Sequence, residues 1–124
     1  MTRRKILIVE DDSIMALELQ ETLQDRNYVV PGVAYTGKDA IEMSKKINPD
    51  LIVMDIRLKG GIDGIEAANK IRAISKVPVL FLSGYADKGT LARIKECGAA
   101  GLIAKPFDIA KLIRAIDKIL TTQR

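Results

Sequence analysis

Five short apolar segments recur along the chain, and each is followed by a stretch whose apolar residues have helical spacing. The segments are residues 5–9, 28–34, 51–54, 77–82 and 100–104. The third and fourth are apolar at nearly every position, which is typical of strands in a parallel sheet that helices cover on both faces. Because crossovers between parallel strands are right-handed, the alternation predicts an α/β fold with a doubly wound, five-stranded parallel sheet. Pro31 places the second segment at an edge or a bend.

Capping residues mark the ends of the predicted helices. Thr36 begins the second helix, and Asn48-Pro49 ends it. Asp63 and Glu66 have the spacing of a capping pair before the third helix. The other boundaries follow the same rules: Asp87 and Asp108 begin the last two helices, Gly98 ends the fourth, and Thr121 lies near the end of the fifth.

Apolar residues three and four apart predict the buried face of each helix. The expected inward-facing residues are Ile14, Leu17 and Leu23 in the first helix, Ala40, Ile41, Met43 and Ile47 in the second, Ile65, Ala68, Ile71 and Ile74 in the third, Leu91 and Ile94 in the fourth, and Ile109, Leu112, Ile113, Ile116 and Leu120 in the fifth.

Length and composition limit the classes of protein that fit this pattern. A chain of 124 residues, 48% of them hydrophobic, predicts one domain over residues 1–124 with an ordinary core. The net charge of +4 is spread along the chain and aromatic residues make up only 4%, so we expect no direct binding of nucleic acid. The sequence contains no histidine, which excludes Ser-His and Cys-His catalysis and histidine metal ligands.

The single cysteine and the absence of targeting signals bear on location. Cys97 cannot form an internal disulfide, and its apolar neighbours predict a small buried side chain. The sequence shows neither a signal peptide nor an apolar run of about 18 residues. We therefore expect a cytoplasmic protein that does not enter the membrane.

Polar and charged residues directly follow four of the predicted strands. They are Glu10, Asp11 and Asp12 after the first, Asp55 after the third, Ser83 after the fourth, and Lys105-Pro106 after the fifth. Doubly wound sheets bind ligands at the carboxyl ends of their strands, near the point where the strand order reverses. We therefore expect several carboxylates, a hydroxyl and an ammonium group to meet in one shallow pocket.

Such a pocket suits a divalent cation and a phosphoryl group. Carboxylates that lie close together repel one another and favour a bound cation. Hard oxygen ligands from few protein groups suit Mg²⁺, which keeps several waters and often shares its sites with phosphate. Lysine and serine suit the oxygens of a phosphoryl group. One carboxylate can then act as a nucleophile and become an aspartyl phosphate.

The whole chain resembles the receiver domain of two-component response regulators. The resemblance rests on four motifs in the family's order: ILIVEDD, LIVMDIRL with DGIEAANKIR, VPVLFLSGYAD and GAAGLIAKPF. It implies the (βα)5 flavodoxin-like fold. It also implies a signalling protein that takes a phosphoryl group from a sensor histidine kinase or a phosphotransfer protein, and that catalyses only its own phosphorylation and dephosphorylation.

The resemblance implies roles for the pocket residues. Asp55 corresponds to the phosphoacceptor. Asp11 corresponds to a direct ligand of Mg²⁺, Glu10 to a ligand through water, and Arg57 supplies its backbone carbonyl to the metal. Ser83 corresponds to the residue that hydrogen-bonds the phosphoryl oxygen.

Lys105 corresponds to the family's lysine at the phosphoryl site. The Lys105-Pro106 bond resembles one that the family holds in cis. Asp12 lies one position beyond the acidic pair, so we expect it to cap the first helix or to face solvent, and we expect Phe107 in the core.

Three features depart from the family's pattern. The segment Lys59-Gly60-Gly61 lengthens the loop after the third strand by one residue, and Gly84 follows Ser83 where a small residue such as alanine is usual. Leu102 replaces the aromatic residue of the fifth strand that takes part in switching. We therefore expect a weaker shift of the surface made by helix four, strand five and helix five, or one that relies on Tyr85. Tyr85 and Arg57 are also expected to cover the phosphoryl site and prolong the phosphorylated state.

Two other classes of function remain as alternatives. A phosphatase of the haloacid-dehalogenase kind needs a second aspartate two positions after its nucleophile, where this sequence has Arg57. The other alternative is a flavodoxin-like binding module or a degenerate receiver that is never phosphorylated. The sequence does not identify a downstream partner or a fused output domain. We also expect that phosphorylation favours a homodimer.

Overall fold

The structure, a computed structural model, describes residues 3–122 and contains one five-stranded parallel sheet. The strand order is β2-β1-β3-β4-β5. The strands are β1 (Ile6–Val9), β2 (Val33–Ala34), β3 (Leu51–Asp55), β4 (Val79–Ser83) and β5 (Gly101–Ala104). The helices are α1 (Ser13–Asp25), α2 (Gly37–Ile47), α3 (Gly64–Arg72), α4 (Lys88–Cys97) and α5 (Ile109–Thr122). The predicted α/β class, the parallel sheet and the alternation of elements are confirmed.

Buried side chains form two clusters, one on each face of the sheet. The first joins the sheet to α2, α3 and α4 and contains Phe81, Ile71 and Cys97. The second joins the sheet to α1 and α5 and contains Leu19 and Ile116. Both faces of β3 and β4 are therefore covered, which explains why these strands are apolar at successive positions.

The predicted caps begin and end the helices as expected. The side chains of Thr36, Asp63 and Asp87 accept hydrogen bonds from the backbone N–H of the residue three positions on, at 2.8 to 3.1 Å. Asp108 accepts from the N–H of Ala110 at 2.9 Å. The second and fourth helices end at Asn48 and Gly98, which both adopt the left-handed conformation.

The predicted buried face of α1 is confirmed at Leu23 and wrong at Ile14 and Leu17. Ile14 and Leu17 are 72% and 54% exposed, whereas Ala16, Leu19 and Leu23 are buried. Ala16, Leu19 and Leu23 are three and four positions apart, so they share one face of the helix. The face of α1 that packs on the sheet includes the small side chain of Ala16. The larger side chains of Ile14 and Leu17 therefore lie at the surface.

Three other predicted core residues lie at the surface. Ile74 is 61% exposed because α3 ends at Arg72, two residues before it. Leu91 is 46% exposed because α4 packs through Ile94 and Cys97. Ile109 is 52% exposed in the first turn of α5.

The second strand is shorter than the predicted 28–34. Only Val33 and Ala34 pair as a strand with β1, and Val29 forms an isolated bridge with Lys5. Pro31 lies between the two pairings and has no N–H to donate to a neighbouring strand. The expectation that this segment lies at an edge of the sheet is confirmed.

Candidate functional site

The carboxyl ends of β1 and β3 bring three acidic side chains together. One carboxylate oxygen from each of Glu10, Asp11 and Asp55 lies within 4.8 Å of the other two. Glu10 and Asp55 are buried, whereas Asp11 is partly exposed. The register explains this convergence. Val9 is opposite Met54, so the residues that follow them, Glu10 and Asp55, lie side by side at the carboxyl ends of the two strands.

Lys105 joins the two buried acids. Its Nζ donates to Oε1 of Glu10 at 2.9 Å and to Oδ2 of Asp55 at 3.1 Å. Burial alone would lower the pKa of Lys105, but the hydrogen bonds and charges of the two carboxylates outweigh it and raise that pKa. The ammonium group therefore stays charged between the acids, as a fixed positive charge in the pocket.

Glu10 is the most buried of the three acids. Burial raises the pKa of Glu10 to about 7, the neighbouring charge of Asp55 adds to the effect, and Lys105 only partly offsets it. The second oxygen of Glu10 accepts from the N–H of Asp12 at 3.2 Å. Ionised Glu10 is thus costly without a further cation, and a divalent ion would relieve this cost.

Backbone contacts position the Asp55 side chain at the end of β3. Asp55 is opposite Leu82 of β4, and the N–H of Ile56 donates to the carbonyl of Leu82 at 3.2 Å. The N–H of Arg57 donates to Oδ1 of Asp55 at 3.3 Å. The Arg57 side chain is exposed. The loop after β3 therefore turns back over the carboxylate that the strand delivers.

The Ser83 hydroxyl is engaged within its own loop. It donates to the carbonyl of Tyr85 at 2.8 Å and accepts from the N–H of the same residue at 3.2 Å. Ser83 is buried at the end of β4, while Tyr85 is 67% exposed. A hydroxyl has one proton, so this proton is committed to Tyr85 in the structure.

The end of β5 brings Lys105 next to Ser83. The N–H of Lys105 donates to the carbonyl of Ser83 at 2.7 Å, and the Lys105-Pro106 peptide bond is cis. The geometry of the pocket thus unites residues from the ends of β1, β3, β4 and β5.

Sequence comparison decides the family. Residues 6–117 match the response regulator receiver domain. The chain belongs to this family.

Several relatives resemble this receiver domain along most of its length. Transcriptional regulatory protein PdtaR of Mycobacterium tuberculosis is 33% identical over 114 residues, which cover 92% of this chain and 55% of PdtaR. Sporulation initiation phosphotransferase F of Bacillus subtilis is 32% identical, with 97% of this chain and 96% of that protein covered. Chemotaxis protein CheY of Thermotoga maritima is 30% identical, with 94% and 97% covered. The chain thus spans about half the length of PdtaR and nearly all of the other two proteins.

The fold of this receiver domain is similar to that of a solved structure. The signal receiver domain of a modulated diguanylate cyclase from Desulfovibrio desulfuricans superposes with a TM-score of 0.90 at 32% identity. The match covers 97% of this chain and 95% of that one.

Within residues 3–122, none of the helices is long and apolar enough to cross a membrane.

The departures from the family's pattern have identifiable positions in this receiver domain. Gly60 and Gly61 both have positive φ, which lets the longer loop turn while β3 keeps its register with β4. Leu102 is partly buried against the cluster that contains α4. A Cβ on Gly84 would meet no heavy atom within 4 Å, so the loop after Ser83 has free space around it.

The remaining predicted residues lie where the sequence suggests. Asp12 caps α1 through the N–H of Ile14 at 3.0 Å and of Met15 at 3.2 Å, and it lies outside the acidic cluster. Cys97 is buried. Phe107 is partly buried against the cluster beneath α1 and α5.

Sequence reasoning missed two contacts next to the site. Arg93 of α4 forms an ion pair with Asp63, with N–O distances of 2.9 and 3.1 Å. The backbone of Gly64 lies directly against that of Asp55. The DG pair at 63–64 is visible in the sequence, but only the helical start of α3 gives it this placement.

Proposed function

We propose that this receiver domain accepts a phosphoryl group on Asp55 in a magnesium-dependent reaction. The observation that carries the proposal is the position of Lys105, whose ammonium group contacts Asp55 and Glu10 inside a cluster of three carboxylates. A carboxylate that only ends a strand does not require a partly buried lysine and two further acids beside it. An acid that must carry a transferred phosphoryl group needs charges placed around it.

The acidic cluster suits Mg²⁺ by its donor set. Glu10, Asp11 and Asp55 would hold the ion together with the backbone carbonyl of Arg57. All of these ligands are hard oxygens, and the three carboxylates repel one another without a cation. When bound, Mg²⁺ neutralises the acidic cluster and the oxygens of the transferred phosphoryl group.

In the proposed step a carboxylate oxygen of Asp55 attacks phosphorus. A P–O bond to Asp55 forms while the bond from phosphorus to the donor breaks, and the donor keeps that electron pair. The donor is the imidazole nitrogen of a phosphohistidine or the carboxylate of a small acyl phosphate. Lys105 already contacts Asp55 and is placed to offset the negative charge of the phosphoryl oxygens.

Ser83 would link the phosphoryl group to the loop before α4. The Ser83 hydroxyl donates its single proton to the carbonyl of Tyr85, so donation to a phosphoryl oxygen instead would break that hydrogen bond. The loop after Ser83 is then released, and this loop leads to Asp87, the cap of α4, four residues later. We infer that phosphorylation moves the surface of α4, β5 and α5, with Leu102 following α4 in place of an aromatic side chain.

Arg57 and Tyr85 flank the site and are proposed to shield it. Both side chains are exposed, and both residues lie two positions after a pocket residue. We propose that Arg57 covers the pocket on the α4 side, near Asp87, whose pKa is lowered by the N–H of Thr90 and, to a smaller extent, by the positive charge of Arg57. Covering the acyl phosphate from this side would exclude the water that hydrolyses it.

The partner that supplies the phosphoryl group is proposed to be a sensor histidine kinase or a phosphotransfer protein. One similar protein is named as a phosphotransferase and another as a chemotaxis protein, so this family serves more than one kind of output. A kinase that uses ATP works in the cytoplasm, and we place the receiver domain there. Signalling by partner binding, including a homodimer formed on phosphorylation, needs no catalysis of a separate substrate.

The alternative is a flavodoxin-like binding module that is never phosphorylated. Nothing in the pocket favours it, since each residue that the reaction needs is present and the acids, lysine and serine lie at one edge of the sheet. The two functions are separated by incubating the protein with acetyl phosphate and measuring its intact mass, with Mg²⁺ and again with excess EDTA. A mass gain of one phosphoryl group only with Mg²⁺ supports phosphorylation, whereas no gain under either condition supports the binding module.

A further inference from the structure

Gly64, the first residue of α3, packs directly on the backbone of Asp55. A Cβ added to Gly64 would lie 2.1 Å from the carbonyl oxygen of Asp55 and 3.0 Å from its carbonyl carbon. The N–H of Gly64 donates to the carbonyl of Ile56 at 2.7 Å. The helix therefore begins in contact with the end of the strand that carries the proposed phosphoacceptor.

The requirement for glycine at this position is one of space. Positive φ occurs at Gly60, Gly61 and Gly98, and Gly64 is not among these glycines. Its backbone conformation is therefore open to other residues, but a Cβ at 2.1 Å from a backbone oxygen is not tolerated. Because the atom in the way belongs to the main chain, it cannot rotate aside, so a substitution at Gly64 must displace either β3 or the start of α3.

The displacement would fall on the loop that completes the site. β3 is hydrogen-bonded to a strand on each side, so its position is fixed by the sheet. Residues 56–63 are the freer part, and they include Arg57. The N–H of Arg57 contacts Oδ1 of Asp55 at 3.3 Å, and its carbonyl is a proposed metal ligand. A shift of α3 would therefore move a ligand and a hydrogen-bond donor of the pocket.

We propose that Gly64 is a positioning residue for phosphoryl transfer to Asp55. By lacking a Cβ it lets α3 start against β3, and this close approach sets the path of the loop that carries Arg57. The inference rests on the proposed function of Asp55. It adds a residue that touches neither metal nor phosphoryl group and acts through the backbone of Asp55 and Ile56.

The test compares Gly64→Ala with Gly89→Ala, a matched change near the start of α4. A Cβ on Gly89 would meet only the Asp87 side chain, at an ordinary 3.6 Å. The rate constant of phosphorylation by acetyl phosphate and the affinity for Mg²⁺ are measured at a temperature where circular dichroism shows each variant folded. We expect Gly64→Ala to slow the reaction by about 10- to 100-fold, the effect of displacing a site by about 1 Å, and to weaken Mg²⁺ binding. Gly89→Ala should match the wild type.

A second pair of variants keeps the test decisive if Gly64→Ala does not fold. Asp63→Ala removes the cap of α3 and the ion pair with Arg93, whereas Arg93→Ala removes only the ion pair. Loosening the start of α3 should make Asp63→Ala slower in phosphorylation than Arg93→Ala.

Each outcome has a distinct meaning. A wild-type rate constant in folded Gly64→Ala overturns the proposal, and so does a loss of stability with unchanged Mg²⁺ affinity and rate constant. If Gly64→Ala cannot be folded, equal rate constants in Asp63→Ala and Arg93→Ala overturn it. Failure of the wild type itself to be phosphorylated would instead reject the proposed function of Asp55.

Discussion

Lys105 reaches from the end of β5 to within 3.1 Å of Asp55 on β3, across the intervening strand β4. The same ammonium group contacts Glu10 on β1 at 2.9 Å. A partly buried lysine between two buried acids fixes a positive charge at the point where a phosphoryl group would be received.

Replacing Lys105 should separate catalysis from metal binding. Lys105→Ala removes a charge that would stabilise the transferred oxygens, so we expect phosphorylation to slow on the order of 10²-fold. The affinity for Mg²⁺ should not fall, because the acids lose a competing cation. Lys111→Ala, a change at an exposed lysine of α5, serves as the control. Equal phosphorylation rates in the two variants would show that Lys105 does not contribute to phosphoryl transfer.

Asp11→Ala should abolish tight binding of Mg²⁺ while the fold survives. Asp11 is one of the three clustered acids, and removing it also removes repulsion from its neighbours, so the metal-free variant should unfold at the same temperature as the wild type or higher. Asp12→Ala is the matched control: it removes a helix cap, which costs about 1 kcal/mol of stability, without changing the affinity for Mg²⁺. Titration and thermal unfolding measure both quantities. Unchanged affinity in Asp11→Ala would show that the acidic pair has been misassigned.

Substitution of the shielding residues should shorten the lifetime of the phosphorylated state. If Tyr85 or Arg57 excludes water, then Tyr85→Ala or Arg57→Ala speeds dephosphorylation, and the first-order rate of phosphate release measures it. The shielding account is rejected if neither change exceeds about twofold, which corresponds to roughly 0.4 kcal/mol of barrier.

Protonation of Asp63 should account for part of the stability that the fold loses in acid. Partial burial alone would raise the pKa of Asp63, but hydrogen bonds from Arg93 and from the N–H of Glu66 outweigh it and lower that pKa. A carboxyl whose pKa is lowered on folding contributes stability above its unfolded pKa of about 4, and this contribution is lost as the pH falls through the lower folded value.

Asp63→Asn isolates this charge effect, because asparagine also caps helices well. Urea unfolding of both proteins between pH 2 and pH 7 should show a smaller loss of stability on acidification for the variant. Parallel pH profiles for the two proteins would contradict the role given to Asp63.

Much of the architecture could be predicted from the sequence because it depends on local signals. The apolar segments at 51–54 and 77–82 correspond to strands whose faces are both buried, and side chains such as Thr36 and Asp63 mark helix starts through contacts three residues away. The acidic cluster follows from topology, since parallel strands deliver their carboxyl ends to one edge.

Other features depend on tertiary contacts that periodicity does not contain. In α1, Leu17 and Leu19 are equally apolar, and packing against the sheet selects Leu19. The ion pair of Asp63 with Arg93 joins residues thirty positions apart. The close approach of Gly64 to Asp55 depends on where α3 begins relative to β3, which no local pattern specifies.

The most direct test of the account is the site of phosphorylation. Wild-type protein, Asp55→Asn and Asp12→Asn are incubated with acetyl phosphate and Mg²⁺, and the intact mass of each is measured. The account predicts the mass gain of one phosphoryl group in the wild type and in Asp12→Asn, whose substituted residue lies outside the acidic cluster, and no gain in Asp55→Asn. A gain in Asp55→Asn equal to that of the wild type would contradict the assignment of Asp55 as the phosphoacceptor.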